Sequence, residues 1–373
     1  MRSRHAGSEA VVRRSADPWS VTSEWATKRL HSAGHLHTGH VLAMQIKELE
    51  SKRGAVTTAA ELTYSPDATG DPPRKVVVKQ CNDFLFWSGY LEALFYSRLV
   101  SQTPDLATPR CYDVCLDRER KAYLLLLHDL TDTHSLLYSP SGSAGPAPEQ
   151  LAQIVDQLAY FHAHWWEHPR LDSADFDVPV RGPVRLAQAL PAHTIRRMCD
   201  GRLAADVPTV EAELGSRTPA GWREFTVAAL GRWADLLITR TGDRKALTLV
   251  HGDCGYWNWM APTEPAQGRP VVIDWGCCAR GLGVYDVAYL ILQSDLPRAT
   301  QREVERPLLE RYHSQLTGHG VQSYGWSQLL HDYQLAIIAN LLIPFVWRDV
   351  SRHGMTMDAF HAWDCAELLT GIA

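Results

Sequence analysis

Three side chains near one another in the chain have the types and spacing to move a phosphoryl group. Asp253 closes His251-Gly252-Asp253, Asn258 follows it, and Asp274 lies in Ile273-Asp274-Trp275-Gly276. Phosphoryl transfer from a metal–nucleotide needs one carboxylate beside the attacking hydroxyl. It also needs a second carboxylate and an amide oxygen to hold Mg²⁺ against the phosphates. Both acids end short apolar runs, Leu247-Thr248-Leu249-Val250 and Val271-Val272-Ile273, which read as strands. An isolated Asp-x-x-x-x-Asn is a common surface pair. The preceding His251-Gly252 and the second strand-end acid make this block specific.

The elements that must position such a site are legible upstream. Val41 to Leu49 and Val56 to Tyr64 alternate enough for two strands, joined by Ser51-Lys52-Arg53-Gly54. Backbone amides in that turn can face phosphate oxygens, with Gly54 allowing close approach, although such turns are more often simple hairpins. Arg74-Lys75-Val76-Val77-Val78-Lys79 is a β-branched strand ending in Lys79, with Lys75 at its exposed edge. Tyr90 to Leu99 has helical spacing and carries Glu92. Tyr123-Leu124-Leu125-Leu126-Leu127 is a continuous apolar strand, followed by His128-Asp129-Leu130. Ser139 to Pro148 is a Pro/Gly/Ser loop, and the helical period then resumes from Leu151 to His162. His162 and His164 point apart on a helix, so core packing suits them better than a metal pair. Asp286, in Gly283-Val284-Tyr285-Asp286-Val287-Ala288-Tyr289, starts an apolar helix, where an acid also serves as an N-terminal cap.

The pattern His251-Gly252-Asp253-x-x-x-x-Asn258, then Ile273-Asp274-Trp275, resembles the active-site block of aminoglycoside phosphotransferases and choline kinases. It is most similar to the ecdysteroid-kinase-like (CHK-type) branch of that protein-kinase-like superfamily. The corresponding protein-kinase signature is H-R-D-x-x-x-x-N and D-F-G. Gly252 stands in place of its Arg and Trp275 in place of its Phe. The run from Trp275 to Tyr285 is too short for an activation segment with a protein-substrate platform, so a small-molecule acceptor is expected.

The resemblance implies an α+β, bilobal protein-kinase-like fold, with a small β-rich lobe bearing one main helix and a larger, mostly helical lobe. It implies ATP, or GTP, with Mg²⁺ as cofactors. Asp253 takes the catalytic role, and Asn258 and Asp274 hold the metal. Lys79, paired by Glu92, contacts the nucleotide's α- and β-phosphates. Leu127 lies on the hinge strand that borders the adenine, with His128 where the family usually has Glu. His251 and Asp286 are scaffold residues at the site. The expected division is a tail over 1–20, a nucleotide-binding lobe over 21–127, and a lobe over 128–373 with the catalytic loop, metal site and acceptor pocket.

Composition bounds the remainder. The chain has 373 residues, 45% hydrophobic and 21% charged, and a formal net charge of −5, which leaves no electrostatic footprint for nucleic acid. No apolar run reaches the roughly 18 residues of a membrane span. Leu335 to Val346, interrupted by Asn340 and Pro344, reads as a core helix. Its 8 cysteines form no C-x-x-C knuckle, and reduced thiols in a cytoplasmic enzyme account for them. Cys254, Cys277 and Cys278 flank the site, which suggests sensitivity to thiol reagents. Met1 to Ala16 is Arg-rich and reads as a disordered tail.

The expected partner is a small-molecule hydroxyl acceptor such as a sugar, an antibiotic or another secondary metabolite; oligomeric state is not legible. Acids and bases balance over 151–248, which disfavours a polycationic aminoglycoside. Trp257, Trp259, Trp326, Trp347 and Trp363 keep open a choline-type cation held by aromatic rings, although Trp at such positions is more often packing. A non-catalytic nucleotide-binding module would be marked by loss of Lys79, Asp253 or Asp274, and all three are present.

Overall fold

The computed structural model describes residues 21–49, 56–82, 86–103, 105–138, 145–199, 202–264, 268–347 and 353–370. The turn carrying Gly54, the Met1 to Ala16 segment and the first part of the Ser139 to Pro148 loop lie outside the described residues. The chain divides into two compact units, residues 1–89 with 111–129 and residues 90–110 with 130–373.

The first unit is β-rich. Helix α1 (Ser23–Ser32) begins where the Thr22 hydroxyl accepts the Trp25 N–H at 3.1 Å. The strands are β1 (Leu36–Thr38), β2 (Val41–Leu49), β3 (Val56–Tyr64), β4 (Thr69–Gly70), β5 (Lys75–Asn82), β6 (Cys111–Asp117) and β7 (Ala122–His128). Strand β1 pairs with β4, and the other five form an antiparallel sheet in the order β2-β3-β5-β7-β6. The β2 and β3 bounds are those expected from alternation.

Side-chain alternation then sorts the sheet's two faces. Ala60, Leu62, Val76, Val78, Leu124 and Leu126 pack with Ala26 and Leu30 of α1 in one apolar cluster. Lys79 is opposite Leu125, and Val77 is opposite Leu127. Lys79 and Leu127 therefore share the other face. One residue of slip would bury Lys79 in the cluster, so its apolar neighbours pin the register.

Helix α2 (Phe86–Leu94) runs into a π-helical turn, Phe95–Leu99. The regular helix expected to Leu99 is broken there. The wider turn lets Phe95 stack on Trp275, with ring centroids 3.8 Å apart and planes within 10°.

The second unit is mostly helical. Its strands are β8 (His134–Leu136), β9 (Thr248–Val250), β10 (Trp259–Pro262), β11 (Val271–Val272) and β12 (Ala279–Gly281). They form a small sheet, β11-β10-β8, and a pair, β12-β9. The helices are α3 (Pro148–His164), α4 (Ala192–Met198), α5 (Arg202–Ala205), α6 (Val207–Leu214), α7 (Trp222–Thr241), α8 (Val284–Leu292), α9 (Arg298–Gly318), α10 (Trp326–Leu341), α11 (Ile343–Trp347), α12 (His353–Ala362) and α13 (Ala366–Thr370).

Every residue of α8 is buried. A helix apolar on all sides belongs at the centre of its unit, and α3, α9, α10 and α12 pack around it. The apolar run Leu335 to Val346 lies in α10 and α11, interior as expected. No described helix is long and apolar enough to cross a membrane. The α+β class expected from the sequence is the class the chain has.

Candidate active site

Strand β9 delivers the loop His251-Gly252-Asp253, and α8 holds it from beneath. The Asp286 carboxylate, fully buried, accepts the His251 N–H at 2.6 Å and the Gly252 N–H at 2.9 Å. His162 Nε2 of α3 meets the same carboxylate at 3.2 Å, and its Nδ1 meets the Tyr312 hydroxyl of α9 at 2.8 Å. A carboxylate inside an apolar helix is expensive unless its oxygens are satisfied, and here three N–H groups satisfy them. Asp286 is therefore more than a helix cap. His162, expected only to pack, is a polar partner in the same network.

His251 joins two strands. Its Nε2 meets the Ile273 carbonyl at 3.0 Å, at the end of β11, and its Nδ1 accepts the Asp253 N–H at 3.3 Å. Both ring nitrogens serve the backbone. Gly252 has φ +83°, and a Cβ there would lie 2.2 Å from the Cys277 carbonyl oxygen and 2.9 Å from Val184 Cβ. Geometry at this turn thus demands glycine where protein kinases carry Arg. Gly252→Ala should destabilise the fold by more than the ~1–2 kcal/mol of a left-handed L-residue, because a backbone carbonyl also blocks the Cβ. A fall in the urea-unfolding midpoint would show it; an unchanged midpoint would refute this steric account.

Asn258 sits where a short 3₁₀ turn (Tyr256–Asn258) meets β10. Its Nδ2 donates to the Asp253 carbonyl at 2.8 Å, and its own carbonyl accepts the Ile273 N–H at 2.9 Å. The first bond fixes the amide's orientation, so Oδ1 is its remaining ligand atom. Asp274, exposed, follows directly with φ 65° and ψ 71°, a left-handed conformation uncommon outside glycine and tolerated by Asp. The chain turns sharply there into a 3₁₀ turn over Trp275–Cys277. Trp275 is clamped between Phe95 and His251, and its Nε1 donates to Thr108 Oγ1 at 3.0 Å. Asp253, Asn258 and Asp274 are thus brought into one loop cluster by backbone bonds.

The remaining candidates lie elsewhere in the chain. Glu92, 1% exposed, belongs to the second unit and lies near Cys278, whose thiol is pushed up first by burial and then by the Glu92 charge. Lys79 and Leu127 belong to the first unit, on the shared sheet face described above. His128 Nδ1 is held by the Tyr112 hydroxyl at 3.0 Å.

Sequence reasoning passed over Tyr289. Its hydroxyl donates to Asp253 Oδ1 at 2.9 Å. Burial first, and then the Asp253 charge, push its phenol well above the ordinary range, so it remains a donor at any working pH. The available signal was a hydroxylated aromatic one helical turn beyond Asp286.

Cys254 and Cys278 are fully buried, and burial is the first cause of the upward shift of both thiols. Only a thiolate alkylates readily, so these two should resist iodoacetamide in the native protein and react after denaturation. Peptide mass spectrometry checks this; rapid native labelling of either would contradict the burial. On this expectation the pair stays silent toward such reagents despite its nearness in sequence to the site.

Among the described residues the candidate tryptophans pack against separate partners and form no single cage. Trp259 is 1% exposed, Trp326 lies edge-on to His313, and Trp363 packs on Tyr333 beneath Arg306. Trp257 lies edge-on to Tyr289 at 5.9 Å. The side chain of Trp347 lies outside the described residues.

Several solved structures are similar to the chain. An aminoglycoside phosphotransferase from Streptomyces rimosus is 15% identical, covering 87% of this chain and 97% of that one at a TM-score of 0.42. A choline kinase from Streptococcus pneumoniae is 14% identical, covering 93% and 98% at 0.44. The GDP complex of an aminoglycoside 2'-phosphotransferase is 13% identical, covering 88% and 94% at 0.48. Likenesses this distant describe no chemistry. No curated protein matches the chain. The sequence pattern of one family does match, from residue 68 to residue 327, and that span holds the whole of the loop cluster built on β9, β10, β11 and α8. On that match, which takes in the greater part of its length, this chain belongs to the phosphotransferase enzyme family.

Proposed function

We propose that the protein transfers the γ-phosphoryl group of ATP, with Mg²⁺, to a hydroxyl of a small molecule such as a sugar, an antibiotic or another secondary metabolite, in the cytoplasm. The observation that carries this reading is the tying of Asp253, Asn258 and Asp274 into one cluster by Asn258 Nδ2 to the Asp253 carbonyl, Ile273 N–H to the Asn258 carbonyl, and His251 Nε2 to the Ile273 carbonyl.

In this reading Asp253 orients the acceptor O–H and takes its proton late, since a loose transition state asks little base strength. Asn258 Oδ1 and the Asp274 carboxylate would hold the metal. They are hard oxygen donors, and few of them; no larger cluster of His, Cys, Asp and Glu occurs among the described residues. That suits Mg²⁺, which keeps waters and takes further oxygens from phosphate. When bound, it supplies charge to offset that developing on the phosphates. Lys79, with Glu92 as ionic partner, positions the α- and β-phosphates, and Leu127 and Gly54 border the nucleotide. His251 and Asp286 keep the loop in place, so most of the acceleration comes from positioning and electrostatics.

The test is ATP and GTP turnover with Mg²⁺ against a panel of sugars, nucleoside antibiotics, aminoglycosides, choline and casein. Turnover on a neutral small-molecule alcohol is expected. Phosphorylation of casein alone would overturn the reading. Turnover on choline or aminoglycosides alone would move the acceptor to the cationic class. Nucleotide binding with no turnover across the panel would favour a non-catalytic module.

A further inference from the structure

The structure holds Asp253 by more than its backbone. Asp286 and Tyr289 lie one helical turn apart on α8, so both project from one face of it. Asp286 takes the backbone N–H groups of His251 and Gly252, and Tyr289 donates to the side chain of the next residue, Asp253. Three consecutive loop residues are thus gripped by two side chains of one buried helix.

The Tyr289 ring is itself held. Tyr285 lies beside it with planes 29° apart at 6.0 Å, and Trp257 meets it edge-on at 5.9 Å. The ring is 3% exposed. A hydroxyl on a ring so confined has little freedom to follow the carboxylate; the carboxylate must come to it.

We propose that Tyr289 is a positioning residue for phosphoryl transfer, its hydroxyl locking Asp253 Oδ1 and so setting the plane in which this carboxylate meets the acceptor. The inference rests on the proposed phosphotransferase activity for its kinetic consequence, and on the observed bond for its structural one. A carboxylate with its plane fixed is pre-organised for an oriented hydroxyl, and misplacement by about 1 Å can cost roughly a hundredfold in rate. Tyr289 acts through Asp253 and not on the nucleotide, so its removal should lower kcat and leave nucleotide affinity alone.

The experiment uses the full chain and the variants Tyr289→Phe, Asp253→Asn and the double variant. Crystal structures of the wild type and of Tyr289→Phe come first. The wild type should show one Asp253 rotamer within hydrogen-bond distance of the Tyr289 hydroxyl; Tyr289→Phe should show the carboxylate rotated or spread over two rotamers. An Asp253 carboxylate away from Tyr289 in the wild type, or unmoved in the variant, overturns the proposal. This readout holds whether or not the protein is a kinase, and its wild-type arm does not depend on the variant folding.

Kinetics follow, with Mg·ATP and whichever panel acceptor turns over, or water if none does. Tyr289→Phe should lower kcat about 10- to 100-fold, with KM for Mg·ATP within twofold and an unchanged melting midpoint. In the Asp253→Asn background the same change should have no further effect beyond twofold, because a group that acts only through Asp253 is non-additive with it. An unchanged kcat, or an equal loss in both backgrounds, would reduce Tyr289 to a packing residue. Failure of the kinase reading would appear instead as no turnover in any form, with the structural result intact.

Discussion

Asp253→Asn should lower kcat by about 10²- to 10⁴-fold, the usual contribution of a positioned acid–base group, with the nucleotide dissociation constant within twofold. Asparagine is nearly isosteric, its Oδ1 can still accept from Tyr289, and the backbone bonds of residue 253 to His251 Nδ1 and Asn258 Nδ2 involve no side-chain charge. The fold and the rest of the cluster should survive, leaving only the proton acceptor removed. Steady-state kinetics beside nucleotide titration and thermal melting separate these effects. Activity within tenfold of wild type, or about 1.4 kcal/mol, would remove Asp253 from the chemistry.

Asp286→Ala should be the most damaging change to stability, by about 3–5 kcal/mol, the usual range for breaking a buried charged partnership. The Asp286 carboxylate is completely buried and takes three N–H groups, from His251, Gly252 and His162. Its removal leaves two backbone donors without acceptors in the interior, each costing roughly 1–3 kcal/mol. It also leaves a void in a helix packed on all sides. Water entry would reduce the loss, and the range allows for that. Urea unfolding measures it, and hydrogen exchange at the His251 and Gly252 amides locates it: both should exchange faster than amides of α10. A loss under about 1 kcal/mol, or unchanged protection at those amides, would show that the loop keeps its shape without Asp286.

Local regularities of the chain were readable before the fold. The strands expected over Val41 to Leu49 and Val56 to Tyr64 coincide with β2 and β3. The apolar run at Tyr123 to Leu127 anticipates β7, which spans Ala122–His128 and is paired on both sides, by β5 and β6. The helix after Leu151 is likewise α3. Elements with weaker periodicity were not foreseen, among them α1, β1, β4, β6, β8, β10 and β12. β8 and β10 are a few residues long and stand through their pairing with each other, a long-range event that no local pattern encodes. The π-helical turn at Phe95–Leu99 was hidden for a similar reason, since it is stabilised by the Phe95–Trp275 stack across distant parts of the chain.

What the sequence by itself determined is the set of chemical groups: two acids and an amide beside short strands, with Lys79 in a β-branched strand that runs on to Asn82 rather than ending at the lysine. Their types name a reaction class because phosphoryl transfer needs a carboxylate beside the attacking hydroxyl and hard oxygen ligands for the metal, and the family match carries the same class. What only the tertiary structure decided is how the acid is held. The turn at Gly252 admits no Cβ because the Cys277 carbonyl lies against it, a contact invisible in the one-dimensional pattern. His162, read as packing, and Tyr289, read as part of an apolar helix, become polar partners because α3 and α8 meet the loop from directions set by their burial. Their polar atoms must find partners once water is excluded, and that requirement arises only when the helices pack.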